Sequence, residues 1–233
     1  MVLPAHNEQS MLEATVGEIV AGLGARSAFE LIVVENGSSD GTAALARDLA
    51  GRVPGVRAMS LAEPDYGRAL RAGFLAASAE VVAIFDVDYY DLGFLDAALA
   101  RLDQPDGPVI VLASKRAAGS EDTRPLARRV VTAGFSTILR VGFGLGVSDT
   151  HGMKVMRRPP LTAIAERCRF GTDLFDTELV LRVERAGMGV AEIPVVVEER
   201  RPSRSSIAKR IPRTLAGLAR LRLALWREAL GLS

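Results

Sequence analysis

EVVAIFDVDYYD, residues 80–91, runs an apolar segment straight into three aspartates. The segment reads as a strand over 80–88. Carboxylates do not follow a strand into a core unpaired, because burying a bare charge costs far more than its apolar neighbours return. Asp86, Asp88 and Asp91 are therefore either a metal site or the solvated end of a strand turning into a loop. Two of the chain's three tyrosines, Tyr89 and Tyr90, stand between them.

The same pattern recurs along the chain. MVLP reads as a strand that Pro4 cuts short, below the five or so residues usual for a central strand, so either the start is misassigned or the strand is clipped. Residues 8–23 have helical period. FELIVVE (29–35) is a β-branched run, the mark of a strand buried on both faces. NGSSDGT follows, dense in turn residues, with Asp40 or Thr42 placed to cap the helix AALARDLA. A third strand is expected over 56–61, helices over 66–78 and 93–102, and a fifth strand over 108–114. Strand–helix alternation at this spacing implies a mostly parallel α/β sheet with helices on both faces. Ligands of such sheets sit at the carboxyl ends of strands, and PAHNE, ENGSSDGT and DVDYYD all fall there.

The second half is less regular. It reads as a helix over 125–145, a turn and short strand over 148–158, a helix over 175–187 stopped by Gly187, an extended segment over 189–200, and a tail helix from Pro212. No internal repeat or linker divides the chain.

Composition narrows the classes. The chain has 233 residues and a formal charge of +1, so bulk charge points to no nucleic-acid partner. The one cysteine, Cys168, excludes an intrachain disulfide and fits a reducing, cytoplasmic compartment. Two histidines, His6 and His151, are too few for a histidine-based metal site. No signal peptide or membrane-length apolar run is expected. The DVD pair suits Mg2+ or Mn2+, which take hard oxygen ligands and leave places for phosphate.

Four stretches, VLPAHNE, LIVVENGSSDGT, GRALRAGF and VVAIFDVD, together resemble the inverting family 2 glycosyltransferases of GT-A fold. SDTHGMKVMRR, FDTELVLRVERAGMGVAEIPVVVEERR and RSS resemble the branch of dolichyl- and polyprenyl-phosphate sugar transferases. The resemblance runs from Val2 to about Ser206. It implies that Pro4, His6 and Glu8 hold the nucleoside, and that Glu35 reads base or ribose. The family usually has Asp-Asp where this chain has Glu35-Asn36, and Asn36 reads equally well as a turn residue before Gly37. Gly67 and Arg68 match the glycine and basic residue near the donor. Asp86 and Asp88 match the metal and diphosphate pair, with Asp88 in the chemistry. Tyr90 stands where the branch often has a glutamine ligand, and Asp91 is the candidate replacement as third metal ligand. Arg200 and Ser205 match an arginine and serine of the acceptor loop.

The acceptor decides the remaining roles. A hydroxyl needs a base, for which Asp173, Asp176 and Glu178 are candidates. Asp176 and Glu178 are two apart and cannot share one helix face, so one of them is expected in the site. A phosphate monoester, with a second pKa of about 6, is already nucleophilic and needs cations to receive it. Arg116, Arg128, Arg129, Arg200 and Arg204 are candidates for that. Residues 1–206 are expected to form the transferase domain. Residues 207–233 are expected to form a basic amphipathic helix, lying on a membrane's inner face, on a membrane protein, or on the domain's own core. Two rival readings stay open: a hydroxyl acceptor with Asp176 or Glu178 as base, and a degenerate chain that only binds nucleotide or a partner protein. A nucleotidyltransferase would carry a glycine- and arginine-rich loop after the first strand, and PAHNEQS is not one.

Overall fold

The computed structural model describes residues 1–25, 28–117, 119–123, 125–197 and 207–232. The first half alternates as expected: β1 (Val2–Ala5), α1 (Leu12–Gly24), β2 (Leu31–Asn36), α2 (Thr42–Arg52), β3 (Val56–Leu61), α3 (Tyr66–Ala76), β4 (Val81–Ile84), α4 (Leu92–Leu102) and β5 (Ile110–Ser114). There follow β6 (Glu121–Asp122), α5 (Leu126–Phe143), β7 (Lys154–Arg157), α6 (Arg158–Arg167), α7 (Phe175–Arg185), β8 (Val190–Pro194), β9 (Val196–Val197) and α8 (Ile207–Ala229).

Seven strands form one sheet in the order β3-β2-β1-β4-β7-β5-β8. All neighbouring pairs are parallel except those of β7, which runs antiparallel to β4 and β5. β6 and β9 make a separate two-stranded pair. Consecutive β2 residues serve opposite layers. Ile32 and Val34 join a core with Leu70, Phe74, Leu161 and Leu179. Leu31 and Val33 join one with Val16, Ile19, Leu49 and Phe94. The run LIVV is apolar throughout because both faces of the strand are covered.

Two of the boundaries that differ from expectation carry consequences. β4 ends at Ile84, so Asp86 and Asp88 lie in a turn and not on a strand. The tail helix starts at Ile207, with the exposed Pro212 inside it. One face of α8 is core: Leu218, Leu221 and Leu225 are buried with Leu174 and Leu179. Its outer side exposes Leu215, Leu223 and Trp226, and α5 exposes Leu126, Val130 and Val141. The Arg222 guanidinium lies 5.6 Å from the Phe143 ring centroid and joins the two helices.

Glu30 ties β2 to the segment before β4. Its Oε1 accepts from the Ser78 N–H at 2.5 Å and hydroxyl at 2.8 Å, and Arg57 donates to Oε2 at 2.9 Å. Burial pushes this carboxyl's pKa up, but those donors and the Ala79 N–H outweigh it and bring the value from 4.5 to about 2. A depressed carboxylate stabilises the fold fully above its unfolded pKa, and that contribution is lost as pH falls from 4.5 towards 2. Glu30→Gln is expected to lower the melting temperature at neutral pH by about 2–4 °C and to flatten the acid limb in that window. Thermal melts across the acid range check both.

Candidate active site

β1, β2 and β4 lie side by side and parallel, so the loops leaving their carboxyl ends meet. Pro4 is inside β1, opposite Val34, and shapes the strand's end. Asn7 has a left-handed φ of 56°. Its N–H donates to Ser38 Oγ at 3.0 Å, and its Oδ1 accepts from the Ser39 N–H at 2.8 Å. The Glu8 N–H donates to Thr42 Oγ1 at 2.8 Å, and the Gly41 N–H to Gln9 Oε1 at 2.9 Å. His6 Nδ1 donates to the Asn36 carbonyl at 2.7 Å. Asp40 holds the Thr42 N–H at 2.9 Å. The first two loops are thus stitched into one wall.

Glu35 and Asn36 are both buried. Glu35 Oε1 accepts from the Ser38 N–H at 2.5 Å and closes the turn that Gly37 makes at φ 62°. A Cβ on Gly37 would stand 2.7 Å from the Pro64 nitrogen, so glycine is required for the approach of the next loop. Asn36 Oδ1 accepts from the Asp65 N–H at 2.7 Å, so it links two loops and is more than a turn residue.

Asp65 caps α3 by accepting from the Arg68 N–H at 2.9 Å. The same oxygen accepts from the Thr172 N–H at 2.6 Å. Gly67 is placed by this contact: a Cβ there would lie 2.6 Å from the Thr172 carbonyl oxygen. Arg68 extends outward, 70% exposed, with Nε 3.5 Å from Asp65 Oδ2.

The stretch after β4 is a tight turn closed by reciprocal backbone bonds between Asp86 and Tyr89, at 3.1 and 3.2 Å. Three helices hold it. From α3, the Tyr66 hydroxyl donates to Asp86 Oδ1 at 2.9 Å. From α1, the Thr15 hydroxyl donates to the Val87 carbonyl at 2.9 Å, and Glu18 accepts from the Tyr90 hydroxyl. Asp91 begins α4, its Oδ1 accepting from the Gly93 and Phe94 N–H groups at 2.7 and 3.1 Å. The expected third ligand is therefore a helix cap, and among the described residues no group of three or more His, Cys, Asp or Glu could hold a metal. Tyr90 likewise anchors the turn to α1.

Asp86 and Asp88 sit at the sheet's carboxyl edge, partly exposed. Burial pushes the Asp86 carboxyl pKa up; Tyr66 and Lys154 pull it down, and the Asp88 and Asp176 charges push it up again. A carboxylate so placed is short of positive charge, and a hard divalent cation is what would supply it. The residues present fit such an ion through two aspartates, with its other positions open to oxygen ligands.

Lys154 lies opposite Ile84 on β7 and is fully buried. Its Nζ stands 2.9 Å from Asp176 Oδ2, and Asp176 is 2% exposed. Glu178 is engaged on both of its oxygens. Its Oε2 accepts from the Arg169 and Phe170 N–H groups at 2.8 and 2.9 Å, while Arg182 Nε donates to Oε1 at 2.9 Å. Arg182 continues to Glu228 of α8, through bonds of 2.7 and 3.0 Å. The Asp176 charge acts on Asp86.

Arg116 follows β5 with an exposed side chain, its N–H donating to Ser114 Oγ at 3.2 Å. Arg129 is exposed at the start of α5. Arg200, Arg204 and Ser205 lie outside the described residues, as do the side chains of Arg128 and Asp173. Sequence reasoning missed Tyr66 and Lys154. The signal for Lys154 was a charge entering the apolar run MKVM, which marks either a strand edge or a buried ion pair.

Over 222 residues the chain is 27% identical to a dolichyl-phosphate β-glucosyltransferase of Trichomonas vaginalis, spanning 89% of this chain and 66% of that protein. An uncharacterised glycosyltransferase of Mycobacterium tuberculosis is 33% identical over 211 residues, 89% of this chain and 88% of its own. In structure, the chain matches glucosyl-3-phosphoglycerate synthase from M. tuberculosis, solved with Mn2+, UDP and glucosyl-3-phosphoglycerate, at a TM-score of 0.67 and 21% identity, over 100% of this chain and 79% of that one. That likeness establishes the GT-A fold. The model of glycosyl transferase family 2 matches residues 1–164, and with it the chain is a glycosyltransferase belonging to family 2.

Proposed function

We propose that the chain transfers a sugar from a nucleoside diphosphate sugar to a polyprenyl phosphate, with inversion and with Mg2+ or Mn2+, at a membrane surface. The observation that carries the choice of acceptor is the state of Asp176 and Glu178, two of the three candidate bases. Asp176 is buried in an ion pair with Lys154, and Glu178 is enclosed by Arg182 and two backbone N–H groups. A hydroxyl acceptor would find neither of these two carboxylates free to take its proton. A phosphate monoester brings its own negative oxygen.

Asp86 and Asp88 would hold the metal, which when bound neutralises charge growing on the diphosphate. Tyr66 fixes the orientation of Asp86. The wall formed by the β1 and β2 loops, with His6, Glu8 and Glu35, takes the nucleoside. A phosphate oxygen attacks the anomeric carbon opposite the diphosphate; one C–O bond forms as the other breaks, and configuration inverts. Arg116, Arg128, Arg200, Arg204 and Ser205 are the residues proposed to receive the acceptor phosphate. The name of the T. vaginalis relative supports this acceptor class. So do the outward apolar residues of α5 and α8, beside Arg129, Arg140, Arg213, Arg220 and Arg227, a composition suited to an anionic lipid surface. Among the described residues no helix is long and apolar enough to cross a membrane.

The test is transfer from a panel of nucleoside diphosphate sugars, with Mn2+, to a short-chain polyprenyl phosphate, to the corresponding free alcohol, and to phosphoglycerate. Transfer to the lipid phosphate alone is expected. Faster transfer to either hydroxyl compound would overturn the acceptor. No thermal shift with any nucleoside diphosphate would favour a degenerate chain.

A further inference from the structure

Lys154 is an unusual occupant of its position. It stands on the antiparallel strand inserted between β4 and β5, facing Ile84 and Leu112 across the sheet, with no exposed surface. Its ammonium pairs with Asp176 at 2.9 Å, yet neither Nζ nor either Asp176 oxygen makes an aligned hydrogen bond. The interaction is one of charge rather than direction. Such a buried pair adds little stability over an apolar pair of similar volume, because desolvating both ions offsets their attraction. Packing alone gives no reason for a lysine here. Its place in the sheet does: Lys154 pairs across β4 and β7 with Ile84, two residues before Asp86, and brings the buried Asp176 carboxylate with it.

We propose that Lys154 is the internal counter-ion of the donor site, a positioning residue that pins Asp176 away from the reacting atoms and sets the negative charge left for the metal. Asp86, Asp88 and Asp176 carry three negative charges. Lys154 cancels one, and the remainder matches one divalent cation. The proposal rests on the metal reading above and adds the residue that tunes it.

The test is titration of the purified chain with Mn2+ alone, following the free-ion electron paramagnetic resonance signal. Asp176→Asn strands the lysine charge and is expected to weaken Mn2+ binding about tenfold. Lys154→Met leaves three carboxylates and is expected to strengthen it about tenfold. The double variant Lys154→Met/Asp176→Asn restores the charge balance, and its affinity is expected to return to within about twofold of the parent. If Lys154→Met does not fold, Asp176→Asn and the double variant suffice, since recovery in the double is the signature. Equal affinity in Asp176→Asn, the double variant and the parent would overturn the proposal while leaving the metal site standing. Binding in the parent that Asp88→Asn fails to reduce would overturn the metal reading, and this inference with it.

Discussion

Asp88→Asn is expected to lower sugar transfer by about a thousandfold or more while leaving the fold intact. The two effects separate because the turn is closed by main-chain bonds between Asp86 and Tyr89 and by Thr15 on the Val87 carbonyl. None of these needs a charge at position 88. Asparagine keeps the shape and one oxygen but removes the negative charge that a hard cation requires. The loss is expected in kcat at saturating Mn2+, with a melting temperature within about 2 °C of the parent. Full activity in the variant would remove Asp88 from the metal role.

Deletion of residues 212–233 is expected to unfold the protein, not to release an intact domain from membranes. Leu218, Leu221 and Leu225 are at most 5% exposed, and each leucine contributes about 2 kcal/mol by burial. Arg182 would also lose Glu228. Losing this partly exposed partner while Glu178 remains costs about 1–3 kcal/mol. Together these approach the whole stability of a typical domain, about 5–15 kcal/mol. Loss of the cooperative thermal transition in the truncated chain is the check. Membrane binding is tested instead on the outer side of α8. Leu215→Glu with Trp226→Glu is expected to keep the melting temperature and to abolish sedimentation with anionic vesicles. An unchanged transition after truncation would show that α8 is an appendage.

The alternation of β1 to β5 with their helices was legible because each strand is an apolar run and each helix has its own period. The pairing of β7 was not. KVMR is a short strand in either direction, and its insertion between β4 and β5 depends on partners over forty residues away. The DVD pair was legible as a site, but its backbone was not. A strand pattern continues through Phe85 and Val87, while the turn is imposed by contacts from α1 and α3. Asp91 carried a readable signal, an aspartate just before the helix 93–102, and the metal interpretation competed with it. For Asp176 and Glu178, spacing alone gave the separation of faces. Their partners, Lys154 for one and the 169–170 backbone for the other, were not legible in that spacing.

The turn that carries Asp86 and Asp88 takes its anchors from α1 and α3, through Thr15, Glu18 and Tyr66. Its geometry is therefore preorganised by the scaffold before any donor arrives. A donor meeting it does not have to order the loop, and that entropy has already been spent in folding. The two tyrosines of DVDYYD belong to this arrangement: Tyr89 closes the turn and Tyr90 fastens it, so residues that look like ligands or sugar platforms act as the mounting of Asp86 and Asp88.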